Sequence, residues 1–242
     1  MLYRGSGLMR ALKSLMKNPA LSRVLPFLVY LLFLGIADLL VYLLQSGGDQ
    51  AATWDLRWLY PIKIAVVALP LLWFWKTYQE LSRPFQTPFW HWLAAVMVGA
   101  CVFVLWINLD QGWLTLGSAS SFNPGAEGGG IDWRLAGMRL LGATLVVPLM
   151  EELFWRSFFM RWMDRMDFLS LEPAMVSSRS VVITSVAFGF EHHLWLAGIL
   201  AGLAYGWLYK RFNNLWIPVS AHATTNGLLG IWVLSTGNWR FW

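Results

Sequence analysis

The sequence predicts an all-α, polytopic membrane helix bundle: about seven transmembrane helices preceded by an N-terminal interfacial amphipathic helix. Two observations predict it. Of 242 residues, 57% are hydrophobic and only 13% charged, with a mean hydropathy of +0.52, whereas soluble domains carry about 25% charged residues. The apolar runs also follow one another too closely to leave room for a soluble domain, and most approach the roughly 20 residues a helix needs to cross a bilayer.

Taken in order, residues 1–23 hold Arg4, Arg10, Lys13, Lys17 and Arg23, with Leu8, Leu12, Leu15 and Met16 at helical spacing. This is the pattern of a basic amphipathic helix lying on an anionic leaflet. Residues 24–242 then form a single transmembrane domain with spans near 24–45, 57–75, 89–109, 136–158, 178–193, 195–210 and 214–235. The first apolar run is longer than a signal-peptide core and has no clear small-residue cleavage site, so it is expected to be retained.

Lys76 and Arg83, then Arg156, Arg161, Arg165 and Arg179, then Lys210 and Arg211 fall on the side of the N-terminus in this scheme. The opposite side has little beyond Arg57, Arg134 and Arg240. The positive-inside rule therefore puts the N-terminus in the cytoplasm, and a bacterial cytoplasmic (inner) membrane is the expected location. The formal charge of +5 is explained by this topology rather than by nucleic acid.

Many of the 17 tryptophans sit near span ends and read as interfacial belts, and His91, between Trp90 and Trp92, reads as part of one. The single cysteine, Cys101, excludes an internal disulfide and reads as a small packing residue. Gly198, Gly202 and Gly206 give the sixth span a face for close helix contact. The glycine-rich stretch "NPGAEGGG" lacks a following Lys-Ser/Thr and is not a phosphate cradle.

Against this background three polar patterns stand out. Ionisable residues in membrane spans are costly and are functional candidates by default. In "EELFWR", Glu152 and Arg156 are four apart with the acid N-terminal, the favourable order for a helical ion pair. Glu151 projects about 100° away, so the arginine cannot serve both acids equally well, and Glu151 is the candidate reactant. In "FGFEHH", Phe188 lies four before His192 and can restrict its ring, while Glu191 reads as a marker of the water interface and His193 as interfacial. In "HATTN", His222 and Asn226 share one helical face and can offer two donors to a developing oxyanion.

Each pattern has a structural alternative. Glu152 with Arg156 can be a buried clamp, and either histidine can be a helix-packing hydrogen bonder. Asp38 and Lys63 are expected to pair with each other, or Lys63 to snorkel. Counted from the basic flanks, however, Glu151, His192 and His222 all reach mid-depth, roughly 15–20 Å in at about 1.5 Å per residue. Unrelated accidents would not need to coincide in depth.

In this order on successive spans, Glu151-Glu152-x-x-x-Arg156, Phe188-x-x-x-His192 and His222-x-x-x-Asn226 resemble the CAAX protease and bacteriocin-processing (CPBP, or Abi) family, the type II CAAX prenyl endopeptidases. The resemblance covers about residues 135–235. The short, aromatic-rich format also resembles CAAX-protease-related proteins found with bacterial exosortase systems. The family implies hydrolysis of a peptide bond in a membrane-anchored or lipidated protein or peptide. Carried over, Glu151 activates a water shared with His192, His222 and Asn226 bind the oxyanion, and Glu152 and Arg156 support the site without a cofactor. Members commonly have glycine after the motif arginine, where this chain has Ser157.

Zinc held by Glu151, His192 and His222 is the runner-up mechanism, although the His-Glu-x-x-His mark is absent. A non-catalytic immunity or accessory protein that binds a peptide, and a proton-coupled carrier, are the other classes. The substrate, its cleavage site and the oligomeric state are not legible.

Overall fold

The computed structural model describes residues 18–46, 55–82, 87–117, 122–126 and 129–242. Among these the chain is an all-α membrane helix bundle of seven helices with no strand ladder. They are α1 (Pro19–Ser46), α2 (Leu59–Trp73), α3 (Phe89–Asn108), α4 (Trp133–Trp162), α5 (Ser178–Phe190), α6 (Trp195–Phe212) and α7 (Trp216–Thr236). Pro19–Leu40, Leu56–Trp73, Phe89–Asn108 and Trp133–Trp162 are long and apolar enough to cross a membrane, and α5 is shorter.

The outward faces of α1 to α3 carry exposed Leu32, Leu39, Leu69, Leu72, Trp90 and Met97. A water-facing surface would not tolerate so continuous an apolar covering. The connections gather at two ends, as an antiparallel bundle requires. At one end Asn214 donates to Thr87, and Trp216 donates to the Leu81 carbonyl. At the other, Leu116 donates its backbone N–H to His193, Trp195 donates to the Trp113 carbonyl, and Arg240 pairs with Asp110 at 2.5 Å.

Helices α5 and α6 pack backbone against backbone. A Cβ on Gly202 would lie 2.9 Å from the Cα of Ser185, and one on Gly198 would lie 2.9 Å from the Cα of Gly189. The glycine face of α6 thus lies directly on the α5 backbone. At 13 residues, α5 reaches only about 20 Å at 1.5 Å per residue. The chain reverses through 191–194 to enter α6.

Three expectations change. Helix α1 begins at Pro19, so Arg23 belongs to the first membrane helix and not to a basic surface segment. It is fully buried, with Nε and Nη2 donating to the two Glu80 oxygens at 2.8 and 2.6 Å and Nε also reaching Ser157 Oγ at 3.2 Å. Residues 1–17, with the other four basic side chains of that segment, lie outside the described residues. Lys63 forms no ion pair with Asp38, which is exposed. It is buried instead with its ammonium 4.2 Å from the Tyr30 ring centre and 5.0 Å from that of Tyr60, a cation–π arrangement. Cys101 is exposed on the outer face of α3 rather than packed inside.

Candidate active site

Helix α4 is one continuous rod interrupted by two wide turns, π-helical at Gly142–Val146 and Leu153–Phe159. The first has a local cause. Pro148 has no N–H to give the carbonyl of Thr144, and its ring crowds that carbonyl. The Val147 N–H bonds back to Gly142 instead, five residues away, which releases the Ala143 carbonyl from the helical ladder. Asn226 Nδ2 of α7 takes that carbonyl at 2.9 Å. Wide turns of this kind are frequent at functional sites.

Glu151 and Glu152 lie on the short α-helical piece between the two wide turns. Both are buried, at 4% and 0% exposure. Glu152 Oε1 accepts from His222 Nδ1 at 3.0 Å and pairs with Arg156 Nη1 at 3.1 Å. The Arg156 guanidinium lies 4.4 Å from the Phe188 ring centre, and its Nη2 reaches the Gly202 carbonyl at 3.4 Å. Glu152 is therefore the hub that joins α4 to α7, whereas the sequence assigned it only to Arg156.

Glu151 has no such fixture. Its Oε2 stands 3.9 Å from His222 Nε2, beyond hydrogen-bond reach, and is buried without a hydrogen-bond partner among the described residues. Across the space, His192 holds its Nδ1 2.7 Å from the Phe188 carbonyl. A carbonyl only accepts, so this nitrogen carries the proton and Nε2 is left with its lone pair. The imidazole sits 4.7 Å from the Phe188 ring centre and edge-on to Trp106 at 5.3 Å.

Glu151, His192, His222 and Asn226 all line one cavity of about 190 Å³, together with Phe188, Tyr205, Trp106 and Arg139. Tyr205 stacks on the His222 ring at 5.0 Å and donates to Thr225, whose hydroxyl lies 2.8 Å from the Gly99 carbonyl. Trp106, Tyr205 and Arg139 escape sequence reading because each sits in an otherwise ordinary apolar stretch. The glycines flanking Tyr205 were the one available sign that α6 approaches its neighbours closely.

Outside the cluster, Glu191 accepts from Trp155 Nε1 at 3.1 Å, His193 bonds the Leu116 carbonyl and His91 packs on Phe212. No group of three His, Cys, Asp or Glu side chains converges as a metal-ligand set among the described residues.

Residues 133–228 match the family model described as type II CAAX prenyl endopeptidase Rce1-like. The matched stretch runs from the first residue of α4 into α7 and includes every motif residue above. No curated protein and no solved structure matches the chain.

Proposed function

We propose, from the match of residues 133–228 to the Rce1-like model of a protease family, that this multi-pass membrane protein is an intramembrane endopeptidase whose base is Glu151. The observation that carries the reading is the meeting of Glu151, His192, His222 and Asn226, from three separate parts of the fold, on one cavity.

In this reading a water sits between the free Glu151 oxygen and the His192 Nε2 lone pair. Glu151 takes a proton from it as its oxygen attacks the scissile carbonyl carbon. The carbonyl π electrons move onto oxygen, and the oxyanion is met by two donors. One is the Asn226 N–H that Ala143 does not use. The other is His222, whose ring is oriented by the contact of its Nδ1 with Glu152. Collapse breaks the C–N bond, and Glu151 returns its proton to the leaving amine. Arg156 neutralises Glu152, so that the pair can stay charged in an apolar interior.

The substrate in this reading is a membrane-anchored or lipidated protein or peptide, with no metal in the chemistry. Wild type and Glu151→Gln, purified in detergent, are compared on a library of membrane-anchored peptides with and without a chelator. The expected result is loss of turnover by about 10²–10⁴-fold, the usual worth of a general base, with peptide binding retained and no effect of chelation. Equal behaviour of the two proteins would point instead to a peptide-binding accessory role. Activity removed by the chelator and restored by zinc would overturn metal-free water activation.

A further inference from the structure

The site cavity has a direction. From α2 to α7 its lining residues stop at the depth of the motif side chains and continue toward one end of the bundle only. On α2 the lining residue is Tyr60, next to the first residue, and on α3 it is Trp106, two before the last. On α4 the lining runs from Arg139 to Glu151 and no further. On α7 it runs from His222 to Leu229, and Phe241 beyond the helix extends it. These helix ends are gathered where Trp195 meets Trp113 and Arg240 meets Asp110. At that end Arg139 and Phe241 are partly exposed.

The opposite end is closed. Between Glu151 and that end, Leu153, Leu208, Leu215 and Ile217 are 0% exposed, and Met160 and Tyr209 are 1% exposed. Glu151 is separated from Trp162, the last residue of α4, by about 16 Å at 1.5 Å per residue. The buried Arg23–Glu80–Ser157 cluster fills part of the same layer. Interiors packed in this way leave no passage for a peptide.

The closed end is also the basic one. Lys76, Arg161, Arg165, Arg179, Lys210 and Arg211 lie in or beside the last turns of α2, α4 and α6 and the first turn of α5. The open end has Arg57, Arg134, Arg139 and Arg240. An excess of Lys and Arg beside span ends marks the cytoplasmic side, so the cavity faces away from the cytoplasm.

We propose that the site opens to the extracytoplasmic side, and that its substrates are membrane-anchored proteins or peptides whose scissile segment has already crossed the bilayer. The proposal deepens the peptidase reading and rests on it for the identity of the occupant. A segment that stays in the cytoplasm meets the packed end and does not reach Glu151.

The test reads the direction of access, on Glu151→Gln protein so that no turnover is required. Cys101→Ser removes the exposed native thiol, and Ala143→Cys or Leu229→Cys puts one thiol in the cavity. Gln111→Cys and Met166→Cys report the open and the basic end. The probe is a small membrane-impermeant methanethiosulfonate, added to sealed right-side-out or inverted membrane vesicles and read by the mass it adds. The cavity thiols and Gln111→Cys are expected to react at least tenfold faster in right-side-out vesicles, and Met166→Cys at least tenfold faster in inverted ones. Each cavity variant decides alone, so one that fails to fold leaves the other as the test. A cavity thiol reached faster in inverted vesicles, equally in both or in neither overturns the proposal, as does Gln111→Cys reacting faster in inverted vesicles. Wild-type vesicles given palmitoylated peptides on their outer face should cleave them only when right-side-out, and cleavage by inverted vesicles alone would also overturn it. Extracytoplasmic access in a protein whose wild type never cleaves would uphold the direction while removing the peptidase reading.

Discussion

Asn226 has two tasks that can be told apart. Its Nδ2 satisfies the Ala143 carbonyl that the wide turn of α4 leaves exposed, and in the proposed chemistry its other N–H meets the oxyanion. A lost hydrogen bond to a neutral carbonyl costs about 0.5–1.5 kcal/mol of stability. A lost oxyanion donor costs about 10²–10³-fold in kcat. Asn226→Ala is therefore expected to lower kcat by that factor, with KM little changed and only a modest fall in Tm, as steady-state kinetics and a melting curve on the same preparation would record. A kcat that falls only in step with Tm would reduce Asn226 to a cap. Glu152 has a heavier structural task, since His222 and Arg156 both lean on one of its oxygens.

At the scale of elements, the α5–α6 contact positions His192. The turn that bears it begins where α5 stops, and α5 is held against the glycine face of α6. Any side chain at Gly202 meets the Ser185 backbone, whereas one at Gly35 of α1 meets nothing within 4 Å. Overpacking of this kind costs about 1–3 kcal/mol. Gly202→Val should thus lower both Tm and activity, while Gly35→Val should leave both near wild type. That α6 has a face for close packing was legible in the sequence, because four-residue glycine spacing puts the small residues on one side of a helix. So were the three polar patterns, since i,i+4 pairs declare a common face. What could not be read was which helix each face meets. Trp106 lies in a helix that looks merely lipid-facing, and Arg139 looks like a charge near a span end. Arg23 was misread for the same reason: nothing near it in the chain reveals that its partner is Glu80.

For the whole molecule, the Arg23–Glu80–Ser157 cluster ties the first helix and the 74–88 connection to the helix that carries the glutamates. Burial alone would raise the Glu80 carboxyl, but the two Arg23 hydrogen bonds, the guanidinium charge and the Ser157 hydroxyl outweigh it and hold the pKa below its usual 4.5. A carboxyl depressed in the folded state contributes stability in full above its unfolded pKa and loses it as pH falls through the folded one. Wild type should accordingly be most stable above about pH 5 and melt at progressively lower temperature on further acidification. Glu80→Gln should melt several degrees lower at neutral pH, because it leaves Arg23 buried without its counter-charge, and the two curves should converge in acid. Parallel curves would mean that Glu80 titrates alike in both states. The cluster also has a consequence for how the chain is made. Arg23 and Glu80 lie 57 residues apart, and Ser157 follows 77 residues after Glu80. Synthesis proceeds from the N-terminus, so the ion pair can close between the first helix and the turn that follows the second while α4 is still on the ribosome. The reactive helix then arrives at a berth already prepared, its depth set by where a single hydroxyl finds a waiting carboxylate.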